Sequence, residues 1–132
     1  MNDTTPNNIR LFKDYHNFDD GLLVSFTYFY VPDEPLAARI VLYARNERIG
    51  GDTWRHVEIV VRDVQELCAK VKGNQFNSIS SSVKLLRFGE LWCVDVDGTY
   101  LYGKDPASLD EVRKDGECYV IGRFVEVNEV PD

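Results

Sequence analysis

Two aspartates flanking one residue, then glycine and threonine, make Asp95-Val96-Asp97-Gly98-Thr99 the most chemically suggestive segment of this chain. After an apolar strand it resembles the phosphate-transfer loop of haloacid-dehalogenase-type phosphatases, where the first aspartate attacks phosphorus, the second acts as acid and base, and both help hold magnesium. Such chemistry needs a parallel α/β core, a later lysine and further carboxylates. The 33 residues after Thr99 read instead as a hairpin strand, a short helix and a strand. Asp97-Gly98 is also the strongest hairpin signal in the chain, because a type I′ turn needs positive φ at both centres. The turn is the better reading. His16, Asp19 and Asp20, with His56 further on, offer imidazole and carboxylate ligands, but the histidines lack helical i, i+4 spacing and Asp20-Gly21 reads first as a turn. Ser78, Ser80, Ser81 and Ser82 form a cluster without the strand–Gly-x-Ser-x-Gly–helix setting of an activated serine, and no cysteine has a histidine near it in sequence. Cys68, Cys93 and Cys118 stand 25 residues apart, which fits neither a zinc site nor a redox pair. Their apolar neighbours Leu67, Trp92 and Val120 describe buried free thiols of a reducing cytoplasm. The residues thus assign no catalytic group, no metal and no cofactor, and the expectation is that the protein is not an enzyme.

The elements that would position these residues are mostly strands. Residues 22–31 are aromatic and β-branched, with Val24, Phe26 and Tyr28 alternating against Ser25 and Thr27, and Pro32-Asp33-Glu34-Pro35 ends the run. Residues 37–45 set Ala38, Ile40 and Leu42 against Arg39, Val41, Tyr43 and Arg45. Residues 54–62 set Val57, Ile59 and Val61 against Trp54, His56 and Glu58. Three such strands in succession form an antiparallel meander. From Asp63 the apolar spacing changes to Val64, Leu67, Cys68 and Val71, which predicts a short helix capped by Asp63 and Glu66 and ended at Gly73-Asn74. A weak strand over 76–82, strands over 83–88 and 91–96 around Gly89-Glu90, a return strand over 99–102 and a final strand over 117–127 follow. Between the last two, residues 105–115 carry Pro106 near a helix start and Ser108 with Glu111 at capping-box spacing. The fold class expected is α+β: one domain over residues 1–132, a twisted antiparallel sheet of six or seven strands, open or curled into a half-barrel, with one or two short helices. Residues 1–10 read as a frayed tail.

Charge points toward partners. The formal charge is −7, with 11 acids balanced by 11 bases in residues 1–88 and 11 acids facing only Lys104, Arg113, Lys114 and Arg123 in residues 89–132. A field so arranged steers a basic partner and repels nucleic acid and anionic membrane. The polar start shows no leader pattern, and no apolar run reaches the length of a membrane span, so a cytoplasmic protein is expected. Asp95, Asp97, Asp105, Asp110, Glu111, Asp115 and Glu117 cluster around one hairpin and its adjoining helix in the sequence. Trp54, His56 and Tyr43 fall on the second face of the meander, where aromatic residues can serve as binding hot spots. These ten residues form the expected partner-binding set.

Phe18-Asp19-Asp20-Gly21-Leu22-Leu23, then Ala38 to Leu42, then Trp54 to Val64, and the Asp-rich strand Leu91 to Asp97 together resemble a loose group of small bacterial proteins. Several members of that group are similar to immunity proteins encoded beside polymorphic or contact-dependent toxins, which bind and block one cognate toxin. The resemblance covers roughly residues 15–97 and lies in strand patterning. His16 departs from the group's Phe-His-Asp turn by lying three residues before Asp19, and no catalytic residue is carried across. What the resemblance implies is a cytoplasmic immunity-type inhibitor whose protein partner is a basic toxin domain. The alternatives are a small-ligand module or small enzyme with a pocket lined by Trp54, Tyr28, Tyr43 and His56, and a homodimer joined through an exposed edge strand.

Overall fold

The computed structural model describes residues 6–73, 77–79, 82–96 and 104–131. Helix α1 (Pro6–Asp14) leads through a left-handed turn (His16–Phe18) into strand β1 (Leu22–Phe29), followed by β2 (Ala37–Arg45), β3 (Trp54–Ala69), β4 (Val83–Phe88), β5 (Leu91–Val96), helix α2 (Leu109–Asp115) and β6 (Cys118–Val130). The six strands among the described residues join one antiparallel open sheet in the order β1-β2-β3-β6-β5-β4. The α+β class, the meander and the β4–β5 hairpin expected from the sequence are present. The predicted turn at Asp97-Gly98 and the return strand over 99–102 lie outside the described residues. Of the weak strand over 76–82, residues 77–79 make one antiparallel bridge to β1, Leu22 opposite Ser78.

Alternation sorts side chains onto two faces, each with its own cluster. Ala38, Ile40, Leu42, Val57, Ile59, Val61, Val94, Val96 and Val120 face α1 and bury against Leu11, Phe12, Tyr15 and Phe18. On the opposite face Cys93, Tyr119 and Ile121 bury against Val112 of α2, with Leu86, Phe88 and Leu109 around them. Helix α2 begins as predicted: the Glu111 N–H donates to Ser108 Oγ at 3.3 Å, and the Glu111 carboxylate accepts from the Ala107 N–H at 2.9 Å.

Of the expected tail, residues 1–5 lie outside the described residues, and from Pro6 onward it is corrected by α1. Pro6 opens the helix, and Asn8, Leu11, Phe12 and Tyr15 then fall at i, i+3, i+4 and i+7, the spacing of a buried stripe. Asn8 hides that stripe from hydropathy. It is buried, its amide donates to the Val125 carbonyl at 2.7 Å, and its oxygen accepts from the Val127 N–H at 2.9 Å. β5 pairs with β6 only from Tyr119 to Gly122. Beyond Gly122 the Asn8 carboxamide takes the place of the missing strand for Val125 and Val127. Asn8→Ala leaves both backbone groups buried and unmatched, at a cost of about 2–4 kcal/mol in urea unfolding. A loss no larger than that of Ile9→Ala, on the exposed side of the same helix, would count against this role.

The predicted helix after Asp63 is also corrected. β3 runs on through Ala69 and pairs with β6 to Cys118. Asp63 has φ 52, and the register with β6 breaks between Val64 and Glu66. A bulge inserts a residue and shifts the alternation. As a result Val61, Val64 and Leu67 all reach the α1-side core, three residues apart, and imitate the period of a helix.

Candidate functional site

One half of the second sheet face is covered by α2, and the half built from β1, β2, β3 and the end of β6 carries no helix among the described residues. The β2–β3 register sets Tyr43 opposite His56 and Arg45 opposite Trp54. Tyr43 lies 4.7 Å from the His56 ring and 5.4 Å from the Trp54 ring, centroid to centroid. Trp54 is anchored by its indole N–H, which donates to Asp52 at 2.9 Å. The three aromatic residues expected in a binding surface therefore form one cluster on an uncovered face. Beside them Arg39 pairs with Glu58 at 2.7 Å and Arg62 with Glu126 at 3.6 Å. These exposed pairs hold side chains in place and contribute little to stability. Tyr28 does not join them. It follows Phe26 onto the α1 side and meets Tyr30 there in an edge-to-face contact, so the pocket expected between Trp54, Tyr28, Tyr43 and His56 is not assembled.

The acidic half of the expected set is divided. Asp95 is fully buried, at 0% exposure, next to Cys93 and opposite Tyr119 in the register, so it is core and not surface. Asp97 lies outside the described residues. Asp105 is bound to Lys84 at 2.9 Å, Asp110 to Arg113 at 3.1 Å, and Glu111 is spent on the α2 cap. Asp115 and Glu117 are exposed at the end of α2. Bases from the neutral part of the chain also neutralise later acids, as Arg55 does to Glu129 at 3.0 Å. The charge segregation of the linear sequence is thus partly undone in three dimensions. Around α2 the remaining carboxylates border the same side of the sheet as the aromatic cluster.

Glu66, expected to cap a helix, instead joins β3 to α2 and β6. It accepts from Arg113 at 2.8 Å and from the Tyr119 hydroxyl at 3.0 Å. The bonds from Glu66, and then from Asp110, hold the Arg113 guanidinium yet more firmly protonated. Burial, and next the Glu66 carboxylate, push Tyr119 up to about 12. The cysteines are free, and Cys93 and Cys118 are each pushed up to about 12 by burial ahead of the nearby Asp95. A thiol held protonated in this way is a poor nucleophile.

A second concavity, missed in the sequence, lies on the α1 side between α1, the left-handed turn and β4, with a volume of about 460 Å³. Its nearest signal in the sequence was His16, read there as a candidate ligand. Among the described residues no group of three His, Cys, Asp or Glu side chains is placed to hold a metal ion, and no helix is long and apolar enough to cross a membrane. No family model, curated protein or solved structure matches the chain. Function has to be read from these two surfaces.

Proposed function

We propose that the protein is a binding protein that engages a protein partner through the open half of its sheet. The observation that carries this reading is the Tyr43–Trp54–His56 cluster, gathered from β2 and β3 onto a face that α2 leaves uncovered. Rigid aromatic side chains supply contact area at low entropic cost, and ordered Arg–Glu pairs around them set register with a partner. The partner class is that implied by the sequence resemblance, a basic bacterial toxin domain, with the protein acting as its cytoplasmic immunity-type inhibitor. Exposed Asp110, Asp115 and Glu117 on the same side of the sheet support the encounter with a basic surface. As part of this reading the sheet curls toward a half-barrel. Ile79, beside the β1 edge, and Val83, on the β4 edge, pack into one cluster, which supports the curl.

The test is co-expression with a toxin domain encoded beside this gene, followed by size-exclusion chromatography. The expected result is rescue of growth and a stable complex, and Tyr43→Ala with Trp54→Ala weakens binding by roughly a hundredfold or more. Both side chains are half-buried on the open face, outside the two core clusters, so the circular dichroism spectrum stays that of the parent. Failure of rescue, or rescue by the double variant equal to that of the parent, ends the proposal.

A further inference from the structure

The groove on the α1 side has the makings of a different kind of site. At about 460 Å³ it falls within the range of small-molecule pockets. Phe12, Leu85 and Trp92 supply apolar lining. Around them stand Lys13, His16, Asn17, Ser82 and Lys84, while the one acid among the described lining residues, Asp105, is bound to Lys84 at 2.9 Å. The side chains of Lys13, His16 and Asn17 make no hydrogen bond or ion pair among the described residues, so their donors are uncommitted. The indole N–H of Trp92 is buried and finds no acceptor among the described residues, and the Arg87 guanidinium lies 4.7 Å above its ring. Among the described lining residues Lys13 is the charge without a counter-ion, and in a protein of net charge −7 that local cation favours an anionic ligand.

The backbone at the groove wall is unusual. His16, Asn17 and Phe18 have φ of 51, 54 and 60, three consecutive non-glycine residues in the left-handed region. Each such residue costs about 1–2 kcal/mol. The turn is held by Phe18, fully buried, stacked at 5.4 Å on Tyr15 and edge-on at 5.0 Å to Phe12. Its N–H donates to the Tyr15 carbonyl at 2.8 Å. The packing of Phe18 holds this strained backbone, and with it His16 and Asn17, in one position at the wall, and strain of this kind concentrates at ligand sites.

We propose that this groove binds a small organic anion, a flat apolar body carrying one carboxylate. The body lies against Phe12, Leu85 and Trp92. The carboxylate is met by Lys13 and by the side chains of the left-handed turn, with Lys84, held by Asp105, at the rim as a further donor. This site is separate from the Tyr43–Trp54–His56 face, and the two are told apart by which indole responds.

The experiment is a titration of ¹⁵N-labelled full chain with 2-naphthoate and, in parallel, with its neutral isostere 2-naphthamide. The expected result is a saturable shift of the Trp92 indole N–H and of the His16 and Asn17 amides, with Trp54 unmoved. The amide binds about tenfold more weakly, and Lys13→Ala combined with Lys84→Ala lowers naphthoate affinity by about tenfold or more, the contribution of charge-assisted contacts. Both lysines belong to the polar rim, and an unchanged spectrum elsewhere reports that the variant is folded. No saturable binding, equal affinity for acid and amide, shifts centred on Trp54, or an unchanged affinity in the lysine variant would each overturn the assignment.

Discussion

Gly122→Ala lowers stability by about 3 kcal/mol, and Gly122→Val by more. A Cβ at this position would stand 2.6 Å from Val61 Cγ1, 3.0 Å from the Arg62 carbonyl and 3.3 Å from the Asp63 carbonyl. None of the three can yield cheaply. Val61 is fully buried among the α1-side core and is stiff at χ1. The two carbonyls belong to the backbone that turns at Asp63. Gly122 pairs with Val64 on one side and Trp92 on the other, so it sits where β3 and β5 both close on β6. The absent side chain is what lets the bulged strand approach. Gly73→Ala is the control, since a Cβ there meets nothing within 4 Å. Guanidinium unfolding should show the midpoint of the Gly122 variants falling with little change in slope, and that of Gly73→Ala unmoved. Equal behaviour of the two alanine variants would show that the close approach carries no cost.

The second large effect is alkaline unfolding. Cys93 and Cys118 are raised from 9.0 to about 12, and Tyr15 and Tyr119 from 10.0 to about 12, in every case chiefly by burial. For Tyr15 the next cause is Glu129, which accepts from its hydroxyl at 2.9 Å. Below about pH 9 all four groups are protonated in both folded and unfolded chains and give no pH dependence. Above 9 the unfolded chain releases thiol protons, and above 10 phenol protons, while the fold retains them until about 12. The unfolded state therefore holds fewer protons, and stability falls as pH rises, by roughly 1.4 kcal/mol per pH unit for each group in play. Two groups act between pH 9 and 10 and all four above 10, so a reserve of about 5–15 kcal/mol is largely spent by about pH 11. Denaturant unfolding at pH 7, 9, 10 and 10.5 should show this steepening, and Tyr15→Phe with Tyr119→Phe should flatten the limb above pH 10. Stability unchanged to pH 10.5 would refute it.

The strands were legible because one face of each is buried. Ala38, Ile40 and Leu42 of β2, and Val57, Ile59 and Val61 of β3, alternate in the sequence as they do in the sheet. The same alternation placed Tyr43, Trp54 and His56 together. Local chemistry was equally readable at Ser108 and Glu111, whose capping bonds span only a few residues. The failures share one cause, an element whose character depends on residues far away in the chain. Asn8 looks like tail until Val125 and Val127 supply its partners. Val64 and Leu67 look helical until the bulge opposite Gly122 explains their spacing. The acidic patch failed in the same way. Counting charges along the chain cannot show that Asp95 lies inside the sheet, or that Arg55 reaches Glu129. The groove beside His16 was invisible because its walls come from α1 and β4, some 70 residues apart.

The position of β6 has a consequence for how the molecule is made. The strand synthesised last of the six is inserted between β3 and β5, in the middle of the sheet. A nascent chain that has not yet extruded Cys118–Val130 holds a three-stranded ribbon and a separate hairpin without the strand that pairs with both. It also holds a helix α1 whose Asn8 has no backbone to bind. Pairing across such sequence distances is slow. On the ribosome, the long edge of β3 stays open until the final strand arrives, and that interval is when chaperones, or aggregation, have access to it.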